Sequence, residues 1–120
     1  MNVHDVLYTA LAQEDILSTL SYISGTLFDP KAANKLLARI QKTVNRLKEF
    51  PESSPISGDE ALAFHGIRVA VITPYLLFYK VEHAKHQLIV LRFLHSTRDY
   101  AQWLLPPAEG TLPLMPEEDD

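Results

Sequence analysis

The stretch "YLLFYKVEHAKHQLIVLRFL", residues 75–94, decides the fold. Before residue 51 the apolar positions recur at helical spacing; from residue 65 onward they recur every second residue or run without a break. "HGIRVAVI" (65–72), "YLLFYKVE" (75–82) and "QLIVLRFL" (87–94) read as three strands. Thr73-Pro74 and His83 to His86 are short enough to be hairpin turns, so the strands form an antiparallel meander. Both sides of these strands are largely apolar. Each face therefore needs a cover.

Working toward the N-terminus, "PESSPISGDEALAF" (51–64) has the proline, serine and acid content of a loop. "DPKAANKLLARIQKTVNRLKEFP" (29–51) is a helix. Asp29 is a good N-cap, Pro30 suits the first helical position, and Pro51 ends the segment. Ala33, Leu36, Leu37, Ile40, Val44 and Leu47 make its apolar face, and its basic residues read most simply as a solvated face. Thr9 can cap an earlier helix running from Ala10 to about Phe28, with Ile16, Leu20, Ile23 and Leu27 in one stripe. The short link between the helices implies an antiparallel hairpin. "VHDVLYT" (3–9) alternates like a short strand. Beyond the last strand, Ser96 or Thr97 can cap a short helix reaching Leu105. The expected class is α+β in the order β-α-α-β-β-β(-α), a helical hairpin packed on a small antiparallel sheet. Residues 1–105 form the domain, and 106–120 are a Pro-rich acidic tail expected to be mobile.

The totals narrow the function. Residues 1–105 carry 11 Lys+Arg against 10 Asp+Glu, while residues 106–120 carry 5 acids and no base. A near-neutral body is not the strongly basic footprint of a protein held by phosphates. There is no cysteine, so no disulfide or thiolate metal site is available. The five histidines show no metal-ligand spacing, and no cofactor is expected. No run approaches the ~20 apolar residues that span a bilayer, and "MNVHDVLYTA" does not read as a targeting segment. A cytoplasmic protein without a membrane partner is the expectation.

"AQEDILSTLSYI", "AANKLLARIQKTVNRLKEFPESSP", "HGIRVAVITPYLLFYKVE" and "LIVLRFLHSTRDY", in this order and spacing, resemble the RelE/ParE superfamily of toxins from bacterial type II toxin–antitoxin systems. The resemblance covers nearly everything up to Leu105. It implies a growth-regulating toxin, of the kind that stabilises plasmids, neutralised by a cognate antitoxin whose C-terminal segment wraps it. A homodimer or a toxin–antitoxin heterotetramer is a further implication. RelE-like members are ribosome-dependent mRNA endonucleases; ParE-like members poison DNA gyrase without nuclease activity. RelE-like members typically have an Arg directly after the first Tyr of the "YLLFY" segment, where this chain has Leu76. Together with the neutral body, this places the chain closer to the ParE-like members. The alternative is a RelE-like nuclease acting on ribosome and mRNA. A third reading is an inactive homologue that only binds a partner.

The candidate site residues cluster after the last strand. Under the nuclease reading, Arg68, Arg92 and Arg98 would bind phosphates, and His95 or Tyr100 would carry protons, since imidazole titrates near neutral pH. Under the inhibitor reading, Arg92, His95, Arg98, Asp99, Tyr100 and Trp103 are the candidate contacts with a target or partner, aromatics and Arg being frequent interface anchors. Each residue also has a plainer role. His95 can close its strand by hydrogen bonding to nearby backbone. Ser96 and Asp99 can form a capping box. Arg68 and Arg92, inside apolar strands, can pair with Asp99 or Glu82. Tyr100 and Trp103 can pack over the sheet. Finally, the apolar surface of the sheet exceeds what one hairpin covers, so a partner helix or strand, or a second copy, is expected against the open sheet face or across the hairpin.

Overall fold

The computed structural model describes residues 5–97. Its elements are β1 (Asp5–Tyr8), α1 (Ala10–Ser21), a π-helical turn (Tyr22–Thr26), α2 (Pro30–Glu49), α3 (Glu60–Phe64), β2 (Arg68–Ile72), β3 (Tyr75–Glu82), a 3₁₀ turn (His83–Lys85) and β4 (Gln87–His95). The sheet order is β1-β4-β3-β2. β2, β3 and β4 form the expected antiparallel meander, with Ile72 opposite Tyr75 and Glu82 opposite Gln87 at its two turns. β1 joins outside it, parallel to β4, pairing Asp5 with Gln87 and Tyr8 with Val90. The sheet is therefore mixed rather than purely antiparallel. The expected helix after Thr97 and the tail from 106 to 120 lie outside the described residues.

The helices form where their caps say they should. Thr9 Oγ1 accepts the Ala12 N–H at 3.0 Å, and Asp29 Oδ1 accepts the Ala32 N–H at 3.1 Å. Leu36, Ile40, Val44 and Leu47 of α2 share one core cluster with Leu77, Tyr79, Leu88, Val90 and Phe93 of the sheet, and Ala33 is buried as well. Leu37 stays exposed, one position off this stripe.

Two expectations fail locally. The first helix does not run regularly to Phe28. After Ser21 it widens, and the Leu27 N–H bonds the Tyr22 carbonyl at 3.0 Å, five residues back. The wider turn rotates the stripe, so Ile16, Leu20 and Ile23 reach the core while Leu27 and Phe28 face solvent. Phe28 turns the chain toward α2 with φ of 55°.

The stretch 51–64, read as loop, ends in a helix. Asp59 Oδ1 accepts from the N–H groups of Ala61 (3.0 Å) and Leu62 (3.2 Å), and "EALA" follows as good helix formers. α3 thereby places Leu62 against Ile67, Phe78, Leu91 and Leu94, on the sheet face away from α2. This segment supplies much of the second cover that the sequence required.

Candidate functional site

The described candidates do not converge. Arg68 lies opposite Tyr79 on β3, and Tyr79 lies opposite Val90 on β4. His95 is five residues further along β4, roughly 17 Å away at strand rise. The nuclease reading gave phosphate binding to Arg68, Arg92 and Arg98 and proton transfer to His95 or Tyr100; of these, the described sheet carries both Arg68 and His95. The register sends them to opposite ends of the sheet.

Arg92 is built into a seam. β1 pairs with β4 only as far as Val90, so among the described residues the outer edge of β4 beyond it has no strand partner. The start of α1 caps this edge. The Thr9 N–H bonds the Val90 carbonyl at 3.1 Å, and Thr9 Oγ1 donates to the Leu91 carbonyl at 2.9 Å. Asp15 Oδ2 then accepts the Phe93 N–H at 3.0 Å, as a strand carbonyl would. Arg92 completes the arrangement by donating Nε to Asp15 Oδ2 at 2.7 Å and Nη2 to Oδ1 at 2.9 Å. The pair is two-pronged and nearly dry, with side chains 8% and 13% exposed. The expected partners, Asp99 or Glu82, are thus replaced by Asp15, 77 residues away in sequence. A bulge permits this geometry: the register shifts between Phe78 and Tyr79, and β4 accommodates Leu91 as the extra residue.

Arg68 holds the opposite end. Nη1 donates to the Ser54 carbonyl at 2.8 Å, and Nη2 lies 3.8 Å from Glu52 Oε2. His83 Nε2 approaches the same Glu52 oxygen at 3.3 Å. Beside them the Tyr79 hydroxyl donates to the Pro51 carbonyl at 2.8 Å, and Arg46 donates to Ser54 Oγ at 3.2 Å. Burial pushes the Tyr79 hydroxyl above the ordinary tyrosine pKa, against the opposing pull of Ser54, Arg68 and Arg46. These groups fasten the 51–57 segment to the sheet. Phe50, Pro51, Glu52, Ser53 and His83 border an open hollow of about 350 Å³ there.

His95 is exposed at the end of β4. Its Nδ1 accepts the Thr97 N–H at 3.2 Å and lies 2.9 Å from Thr97 Oγ1. This leaves the neutral ring's proton on Nε2. The ring meets Tyr75 edge-on at 5.5 Å, and Tyr75 stacks on Phe93 at 4.9 Å. Arg98, Asp99, Tyr100 and Trp103 lie outside the described residues, as does the Ser96–Asp99 capping box. Among the described residues no group of three His, Asp or Glu side chains could hold a metal ion, and no helix is long and apolar enough to cross a membrane.

The sequence allowed a partner across the helical hairpin but placed Leu27 in the buried stripe, and the structure exposes the hairpin tip instead. Leu17, Tyr22, Leu27 and Phe28 are exposed, Phe28 to 86%. Leu17 and Tyr22 line a groove of about 840 Å³ with Ala10, Glu14, Ser18, Ser21 and Thr26. Its only sequence signal was Gly25, which weakens a helix end. A second exposed pair, Phe64 and Val71, lies on α3 and β2.

The chain was compared with known families and structures. No curated protein sequence matches it. A chain of the chromosomal ParDE TA system from P. aeruginosa shares the fold with a TM-score of 0.61 at 18% identity, covering 78% of this chain and 96% of that one. A chain of the RelBE2 toxin–antitoxin complex from Mycobacterium tuberculosis does so with a TM-score of 0.55 at 21% identity, covering 79% and 93%. At such identities the likeness is one of fold, and both branches of the superfamily share it. The family model described as "ParE toxin of type II toxin-antitoxin system, parDE" matches residues 6–100, and the chain belongs to that family, within the RelE/ParE superfamily.

Proposed function

We propose that this toxin acts as ParE-like members do, by binding DNA gyrase and trapping it on cleaved DNA, and that a cognate antitoxin neutralises it. The observation that carries this reading is the dispersal, among the described residues, of Arg68, Arg92 and His95. Cleaving RNA requires cations and an acid/base pair gathered on one phosphate. Here the Arg92 guanidinium is engaged by Asp15, Arg68 braces a loop at the other end of the sheet from His95, and among the described residues His95 meets Tyr75 and Thr97. Leu76, where RelE-like members typically have Arg, supports the same reading. Arg98, Asp99, Tyr100 and Trp103, with exposed His95, are the proposed target contacts. Arg92 contributes by holding the strand that presents them.

For the antitoxin, the apolar groove along α1 and the exposed Leu27 and Phe28 are the proposed landing surface. A homodimer or a heterotetramer with antitoxin is compatible with it. A gyrase supercoiling assay with the purified chain tests the target. Inhibition with accumulation of cleaved complex is expected. Intact supercoiling activity at large molar excess, together with codon-specific cuts in toeprinting of translating ribosomes, would transfer the chain to the RelE-like reading. Failure of both assays would leave a toxin fold that only binds its partner.

A further inference from the structure

α2 carries Lys31, Lys35, Arg39, Lys42 and Arg46 at i, i+4, i+8, i+11 and i+15, all exposed. At about 100° per residue these five fall within an arc of roughly 80°, centred about 140° from the buried row Ala33, Leu36, Ile40, Val44 and Leu47. The stripe is about 22 Å long at helical rise. No carboxylate interrupts it; Glu49, the only acid of α2, stands beyond its end. Among the described residues none of the five makes an ion pair. Like charges at i and i+4 repel, so this ridge calls for a counter-charge from elsewhere.

The chain itself holds one. Residues 106–120 carry Glu109, Glu117, Glu118, Asp119 and Asp120 and no base. α2 has six cations and one acid, a net charge of +5, against −5 for this segment. The segment lies beyond the family match, which stops at residue 100. Extended, its 15 residues span up to ~50 Å, more than the 41 Å longest extent of the molecule. Covalent attachment also gives it an effective concentration near a flexible body of roughly millimolar order.

We propose that the acidic segment 106–120 docks in cis along the cationic ridge of α2 and acts as its built-in counter-charge. The cover is electrostatic and reversible, so ionic strength, or a competing polyanion, regulates how much of the ridge is open. This inference is independent of the identity of the toxin's target.

The chain has no cysteine, which allows a single nitroxide label on the full-length Thr111→Cys variant. At low salt the amide NMR signals of residues 31–46 are expected to fall below half the intensity seen after reduction of the label. At 1 M salt, where the Debye length is ~3 Å, they should recover. Lys35→Glu with Lys42→Glu, at two exposed positions, should abolish the broadening while the rest of the spectrum reports an intact fold. Broadening that is absent, spread evenly over the surface, centred away from α2, or insensitive to the charge reversal would overturn the proposal. So would broadening that appears only between isotope-labelled and spin-labelled molecules in a mixture, since the contact would then be between chains.

Discussion

Arg92 and Arg68 sit on two strands that flank β3, and the same side chain does different work at each. At the α1–β4 seam, Arg92 meets Asp15 through two short bonds in a nearly dry setting, and the same carboxylate takes the Phe93 N–H. At the opposite end, Arg68 relies on the Ser54 carbonyl, and its carboxylate, Glu52, is 3.8 Å away and 55% exposed. Water competes for the second carboxylate and hardly reaches the first. The seam is therefore a strong device: a lost member is not readily replaced by water. The Arg68 end is redundant, because a backbone carbonyl does most of the holding.

Breaking the seam gives the largest effect. Asp15→Ala leaves the Arg92 charge and the Phe93 N–H without their acceptor and should cost about 3–5 kcal/mol. Urea unfolding would show it, and a loss under 1 kcal/mol would mean that water or another acceptor reaches the seam. Thr9→Ala removes both the α1 cap and the hydroxyl bond to Leu91, and should cost about 1–2 kcal/mol by the same measurement.

At the Arg68 end, Tyr79→Phe deletes the bond to the Pro51 carbonyl and should cost about 1 kcal/mol near neutral pH. Its pH dependence has a definite sign. The folded state raises the Tyr79 pKa, so its contribution is fully present below the unfolded value of about 10 and is lost as pH rises toward the folded value. Burial raises the Tyr8 pKa in the same direction. The wild-type chain should therefore lose stability above about pH 10, and Tyr79→Phe should lose less over that interval. Equal slopes would place the Tyr79 hydroxyl in water. The smallest effect belongs to Glu52→Gln, at most about 0.5 kcal/mol and vanishing in high salt. A larger loss would make Glu52 an organising residue rather than a surface partner.

The caps and stripes show how far local chemistry could be read. Thr9, Asp29 and Pro30 announced their helices, because a cap is satisfied within three or four residues of itself. α3 was hidden although Asp59 is a cap of the same kind, because the helix is only five residues long and follows a run of Pro, Ser and Gly. The π-helical turn was hidden for another reason. One extra residue in a turn leaves the sequence stripe intact on paper while rotating everything after Ser21. The site suffered most. Arg92 and Arg68 were correctly expected to need partners, yet in the sequence Asp15 and Glu52 carry no mark that distinguishes them from the other acids.

By itself, the sequence determined the order of the two long helices and the four strands, the meander of the last three strands and the two-sided apolarity of the sheet, because periodicity and turn chemistry act over a few residues. Tertiary structure alone decided that β1 lies parallel against β4, that Asp15 closes the bare edge of that strand, and that Arg68 and His95 stand at opposite ends. Those outcomes depend on register and on pairings such as Asp15 with Arg92, 77 residues apart. A one-residue change in register exchanges the faces of a strand, and its choice is settled only when the whole core packs.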